Sequence, residues 1–298
     1  MYDIKALYEA QSVDDAVKLR LEHPEAQIIA GGSDVLVQLR EGKRAGQELI
    51  SIYMLDELRG VSLDKEDSIR IGSLTSFSHI TGDPLIQKYC NVLGEAADQV
   101  GSPQIRNIGT IGGNTCNGVT SADTASTLFA LEAVVELAGQ NGRRYLPIQD
   151  FYIKAGQVDI SPDEIQTAIL IPRTSWENTF GHYIKYGLRN AMEIATLGCS
   201  VNVRLSQDKR TIERCRIAYG VAGPVPMRCP AAEQTANGAV FSKELAERFS
   251  RAVIDDIKPR DSWRASRAFR QHIAVEMAKR ALTRAYELAG GETHEQTV

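Results

Sequence analysis

Two glycine pairs limit what this chain can become: Ala30-Gly31-Gly32-Ser33-Asp34 near the N-terminus, and Gly109-Thr110-Ile111-Gly112-Gly113-Asn114 at the end of the first third. Each reads as an apolar strand running out into a tight turn whose backbone amides lie bare because no Cβ shields them. Such turns bind anions: in the first, the amides of Gly31, Gly32, Ser33 and Asp34 can face one oxyanion, with the Ser33 hydroxyl as a further donor. A lone Gly-Gly pair is more often a plain strand-to-helix turn. The second loop repeats the logic, with Thr110 as a hydroxyl donor and Asn114 as a two-sided amide. Two such loops together predict a ligand with two phosphates gripped from both sides, a dinucleotide such as FAD. No Gly-Lys-Ser or Gly-Lys-Thr occurs, and neither loop spells Gly-x-Gly-x-x-Gly, which disfavours nucleotide hydrolysis and a Rossmann site.

A length of 298 residues exceeds what one core usually organises, so two or three domains are expected. Hydrophobic residues at 43% suit a globular chain with a real core. The formal net charge is -4 and the basic residues are interleaved with acidic ones, which leaves no footprint for nucleic acid. Five widely spaced cysteines argue against a disulfide framework and suit a reducing compartment. The histidines never fall at zinc-ligand spacing, so no metal is expected. The opening Met1-Tyr2-Asp3-Ile4-Lys5 lacks a basic region followed by an apolar run, and no stretch is apolar for long enough to span a bilayer. A cytoplasmic location without membrane contact is the expectation.

The pattern divides the chain into residues 1–56, 57–175 and 176–298. The first part alternates strand and helix, and Ser12 with Asp15 reads as a capping box for a helix to about Glu22. In the second, Ser68 to Gly72 reads as a strand, Asp83-Pro84 opens one helix carrying Leu85, Ile86, Leu93 and Ala97, and Gly101 to Asp123 reads as one long rigid loop. A hairpin about Gln140-Asn141-Gly142 and a strand near Asp163 to Pro172 close that unit. Beyond a hydrophilic linker from Pro172 to Asn178, Phe180–Leu188, Thr196–Leu205 and Arg214–Val221 read as three antiparallel strands. Helices from Leu245 to Ile257 and Ala268 to Leu288 follow, Gly290-Gly291 ends the second, and a polar tail from Glu292 is expected to be disordered.

Ala-Gly-Gly-Ser-Asp-Val-Leu, Gln104-Ile105-Arg106-Asn107 running into Thr110-Ile111-Gly112-Gly113-Asn114, and Ser121-Ala122-Asp123 together resemble the FAD-binding subunits of the molybdenum hydroxylases. Lys185-Tyr186-Gly187-Leu188-Arg189 and Asp261 to Ser266 through Phe269-Arg270 extend the likeness over nearly the whole chain. Within the family, the likeness runs to the flavin subunits of bacterial xanthine dehydrogenases. That resemblance implies an α+β fold of the PCMH or vanillyl-alcohol-oxidase-like type, a small α/β domain plus a mixed domain. A C-terminal domain built on a three-stranded antiparallel sheet with helices would follow. It implies that Gln27, Ile28, Ile29, Ala30, Gly31, Gly32, Ser33, Asp34 and Val35 wrap the diphosphate side of FAD. Val100, Gly101, Gly109, Thr110, Gly112, Gly113 and Asn114 would hold it from the middle domain, with Ala122 and Asp123 beside the ring. Lys185 matches a family lysine that contacts the flavin, with Arg189 near the same face. Gln166 falls where relatives often carry an apolar residue beside the isoalloxazine.

The resemblance further implies electrons arriving from a molybdenum cofactor through two [2Fe-2S] clusters and leaving as hydride to NAD. The large molybdopterin-binding subunit and the small iron–sulfur subunit would complete a heterotrimer, single or duplicated by symmetry. No residue of this chain then needs to act as acid or base on purine. Lys185 near the N1/O2 edge would raise the flavin potential and Asp123 near the opposite edge would lower it. The plainer alternatives are that Lys185 and Arg189 form a solvated strand face, that Asp123 caps a helix, and that Cys116 only packs. A rival function is a free-standing flavin oxidase or reductase of the same fold. Such oxidases often bind FAD covalently through a histidine at the first loop; none is present here, so the FAD is expected to be non-covalent.

Overall fold

Ser12 accepts a hydrogen bond from the Asp15 amide at 3.0 Å and starts the helix Val13–Glu22. The reciprocal bond of the capping box falls one residue early, because the Asp15 carboxylate takes the Gln11 amide at 2.9 Å. In this computed structural model, which describes residues 2–293, the helix packs beside a three-stranded parallel sheet. The strand Gln47–Ser51 lies between Ile4–Glu9 and Gln27–Ile29. Its apolar cluster, including Val13, Ala16, Val17 and Ile52, is completed by Leu58, Leu74, Ala138 and Ile165 from the next unit. The sheet therefore leans on its neighbour for its core.

The middle unit is built on a five-stranded antiparallel sheet in the order Val61–Leu63, Ile69–Gly72, Ile165–Ile171, Val134–Gly139, Gly142–Pro147. The one helix expected after Pro84 is two, Pro84–Tyr89 and Asn91–Asp98, because Cys90 leaves helical geometry at φ -140°, ψ 41°. The expected long loop from Gly101 to Asp123 contains two short helices, Pro103–Ile108 and Ile111–Cys116. Ser102 and Thr110 begin them by accepting the Ile105 and Gly113 amides at 3.4 and 3.1 Å. The expected linker after Pro172 is also structured: Arg173–Trp176 is a helical turn whose Trp176 ring is buried against Tyr89 and donates Nε1–H to Asp67 O at 3.1 Å.

In the third unit, Phe180–Tyr186, Leu197–Leu205 and Thr211–Gly220 run antiparallel, and the two-residue strands Met227–Arg228 and Ala239–Val240 add to the last of them. Helices Lys243–Asp256 and Arg267–Leu288 share its apolar cluster. Gly290, at φ +89°, ends the second helix as expected. The helix Asp123–Ala130 of the middle unit, with every residue buried, packs against the strands Leu197–Leu205 and Thr211–Gly220. The part of the tail from His294 onward, expected to be disordered, lies outside the described residues. No helix among the described residues is long and apolar enough to cross a membrane.

Candidate flavin-binding cleft

The chain leaves the strand Gln27–Ile29 through Ala30 and Gly31, turns at Gly32 with φ +72°, and enters the helix Val35–Arg40. Asp34 occupies the cap position without capping; its carboxylate accepts from Gln38 Nε2 instead. Leu36 N–H closes on Gly32 O at 2.9 Å, whereas the amides of Gly31 to Val35 meet no acceptor among the described residues. Five backbone donors at a half-exposed turn without protein partners are the arrangement an anion needs. Gln27 is turned back on its own strand, its amide donating to Ile28 O at 2.9 Å.

Gly31 brings the two loops together. A Cβ on it would lie 1.8 Å from Ile108 O and 2.7 Å from the Ile108 carbonyl carbon, so only a bare Cα fits there. The second loop departs from the expected strand and turn, since Gly109 and Thr110 join two helices. Gly112, expected to approach a ligand, instead approaches the protein's own backbone. It is buried, its N–H donates to Ser73 O at 2.8 Å, and a Cβ would lie 2.5 Å from Ser73 Cβ. Gly109 likewise sits against Ile105 O and the Phe77 ring. Thr110 Oγ1 is occupied as an acceptor by the Gly113 amide. Gly113 itself is exposed, with only Thr110 Oγ1 near the place of a Cβ.

Beside the second loop lies an open cleft of about 340 Å³ whose walls include Val100, Gly101, Asn114, Ala122 and Asp123, with Met192, Glu193 and Ile194 contributed by the third unit. Five predicted residues thus share one wall. Asp123 is not the cap of its helix; Ala122 takes that place and Asp123 is the first helical residue. Its carboxylate instead crosses to the third unit, accepting from Tyr183 OH at 2.9 Å and Lys185 Nζ at 2.8 Å. Lys185 Nζ also donates to Gln99 O at 2.9 Å. The lysine and the aspartate were expected to act from opposite edges of a ring; they form one buried ion pair. Burial raises the Asp123 carboxyl above the ordinary range, opposed by the Lys185 charge and by hydrogen bonds from Lys185 and Tyr183. Arg189 is tied to Glu193 at 3.0 Å and to Met192 O at 2.8 Å, two residues of the cleft wall.

Gln166 is absent from the cleft wall. It is 3% exposed beneath the helix Ile111–Cys116, where its Oε1 accepts from Thr115 Oγ1 at 2.8 Å and Cys116 Sγ at 2.9 Å. Its Nε2 has no partner among the described residues. A polar residue in this core position is therefore held by the underside of the second loop. Burial pushes the Cys116 thiol up to about 12, and Cys199 equally to about 12. Cys90, Cys215 and Cys229 are also raised by burial. Iodoacetamide at neutral pH is accordingly expected to leave all five thiols of the native chain unlabelled and to label all five in urea. A rapidly labelled Cys116 would return it to the redox candidates.

The sequence reading did not single out Tyr183, Thr124, Gln99 O or the Met192–Ile194 segment. Tyr183 had a signal, since it lies two residues before Lys185 and period-two alternation puts both on one strand face. Among the described residues no group of three His, Cys, Asp or Glu side chains is placed to hold a metal ion.

Residues 2–174 match the FAD binding domain in molybdopterin dehydrogenase, and residues 182–285 match the CO dehydrogenase flavoprotein C-terminal domain. The chain is an FAD-binding subunit of the molybdenum hydroxylase family. The flavin subunit is 39% identical over 292 residues to the xanthine dehydrogenase FAD-binding subunit of Escherichia coli O157:H7, covering 98% of this chain and 99% of that one. It is 30% identical over 277 residues to the carbon monoxide dehydrogenase medium chain of Hydrogenophaga pseudoflava, covering 93% and 95%. A solved structure of carbon monoxide dehydrogenase from the same organism superposes with a TM-score of 0.90 at 29% identity, covering 96% of the flavin subunit and 99% of that chain. Its fold is the expected PCMH type followed by the flavoprotein C-terminal domain.

Proposed function

We propose that this flavin subunit carries electrons within a xanthine dehydrogenase-like enzyme and hands them to NAD, purine oxidation taking place on another chain. The observation that carries the reading is the meeting of the two glycine loops through Gly31, which sets a row of unpartnered amides against the second loop, whose Asn114 lines the cleft. FAD fits these residues. The amides of Gly31 to Val35 and the Ser33 hydroxyl suit its diphosphate, each charge-assisted bond contributing about 1.5–3 kcal/mol. Asn114, Gly113 and the wall of Gly101, Ala122 and Asp123 suit its ring end. When bound, FAD supplies a carrier that accepts electrons singly from a small [2Fe-2S] partner and releases them as hydride.

Lys185 presents itself to that carrier as half of a neutral ion pair. Its effect on the flavin potential is therefore smaller than that of a free ammonium, and Tyr183 and Asp123 chiefly hold the third unit against the cleft. The reading takes residues 1–56, 57–175 and 176–298 as three domains, the second and third each centred on a hydrophobic cluster and the first completing its cluster with residues of the second. It places the complex, a heterotrimer with a molybdopterin-binding large subunit, in the cytoplasm. A second reading, a hydroxylase for another substrate, is favoured by the 30% likeness to a carbon monoxide dehydrogenase chain and the 32% likeness to the nicotinate dehydrogenase FAD-subunit of Eubacterium barkeri.

The test is an absorption spectrum of the purified chain followed by anaerobic NADH. A flavin spectrum that bleaches with NADH, full release of FAD on denaturation, and no hypoxanthine oxidation until the partners are added are expected. A flavin that stays oxidised would remove NAD, and retention of flavin by the denatured chain would favour the free-standing oxidase. Purine turnover by the chain alone would end the reading.

A further inference from the structure

Asn114 lies on the cleft wall, and its carboxamide can face a ligand with either its oxygen or its nitrogen. What decides between them is Thr124. That residue is the second of the helix Asp123–Ala130, it is fully buried, and its Oγ1 donates to Asn114 Oδ1 at 2.8 Å. Among the described residues no other partner of the Thr124 hydroxyl occurs, so its single proton has one acceptor. Turning the Asn114 amide over would set an N–H against that hydroxyl and leave the buried hydroxyl proton without an acceptor. The bond therefore pins Asn114 Oδ1 inward and leaves Nδ2 for the cleft. Sequence places Asp123 and Thr124 side by side, and the two divide the work: Asp123 reaches the third unit, Thr124 reaches the second loop.

We infer that Thr124 is a positioning residue that fixes Asn114 as a hydrogen-bond donor to an acceptor atom on the flavin ring. The inference rests on the reading of the cleft as the FAD site. A ring carbonyl or unprotonated ring nitrogen gains electron density when the flavin is reduced. A fixed amide donor there strengthens binding and favours the reduced form. A mobile amide would present its oxygen part of the time and repel the same atom. Thr124→Val keeps the shape of the side chain and removes the hydroxyl; Thr124→Ser keeps the hydroxyl.

The experiment measures FAD affinity by the fluorescence of free flavin, and the flavin midpoint potential, for the wild-type chain, Thr124→Val, Thr124→Ser, Asn114→Ala and the double variant Thr124→Val/Asn114→Ala. Loss of one well-placed donor is expected to weaken FAD binding about tenfold in Thr124→Val, with a lowered midpoint potential. Thr124→Ser is expected to restore both. Asn114→Ala should weaken binding at least as much, and the double variant should bind like Asn114→Ala alone, because Thr124 acts only through Asn114. Wild-type affinity and potential in Thr124→Val would overturn the inference. So would losses that multiply in the double variant, which would assign Thr124 a packing role. If the wild-type chain itself takes up no FAD, it is the reading of the cleft that fails.

Discussion

Replacing Glu132 by alanine is expected to lower the stability of the chain by about 3 kcal/mol, the lower end of what breaking a buried ion pair costs, because the Glu132 side chain is 33% exposed. The residue follows the helix Asp123–Ala130, and its one carboxylate faces three arginines of the third unit. It meets Arg214 Nη2 at 3.0 Å, Arg228 Nη1 at 2.6 Å, and Arg216 Nη2. Arg228 has a second partner in Glu233. Arg216 is 5% exposed and, among the described residues, keeps only Ser175 Oγ at 3.4 Å once the carboxylate is gone. An arginine cannot escape such a position by losing its proton. Glu132 also holds a left-handed backbone, φ +50°, so Glu132→Gly should lose about 1 kcal/mol less than Glu132→Ala. Urea unfolding with an unchanged slope is the readout. A loss below about 1 kcal/mol in the alanine variant would mean that Glu233 alone balances the cluster.

The largest expected loss of cofactor comes from Gly31→Ala, with FAD affinity falling by about a hundredfold or more, the equivalent of one or two amide bonds to phosphate. A methyl group there would lie 1.8 Å from Ile108 O, a backbone atom that cannot swing aside as a side chain can. The two loops must separate, and amides aimed at one ligand from both sides no longer converge. Gly82→Ala is the matched control, since nothing lies within 4 Å of its added Cβ and its φ is not positive. Near-normal FAD affinity in Gly31→Ala would show that the loops bind independently.

The sequence was most readable where one element turns into another within a few residues. The first glycine loop, the Ser12 cap, the Gln140–Gly142 turn and the strands of the third unit all carry local signals of that kind. The second loop was misread because its helices have only six residues each, too few to show a 3.6-residue apolar repeat, while its glycines and asparagines mimic an irregular loop. Ser102-Pro103 and Thr110 were start signals standing in plain view. The break at Cys90 had no glycine or proline to announce it. Asp123 and Lys185 were both singled out as site residues, yet nothing local to either could show that they pair across 62 residues. Alternation assigns a side chain to a face of its strand; the partner on that face is set by packing.

The shared core of the N-terminal sheet has a consequence for how a ligand would be received. Leu58, Leu74, Ala138 and Ile165 complete the cluster around Val13 and Ala16, with Ile28 and Ala30 packed against it, so the sheet that carries the first loop is docked on the middle unit by apolar contacts outside the second loop. The gap between the loops is thus fixed before anything enters it. A cofactor arriving there meets amides already in place and loses little free energy to ordering the chain around itself. Empty and filled forms of the chain should therefore present the same surface to the rest of their assembly, and partner subunits could dock in either order relative to the flavin.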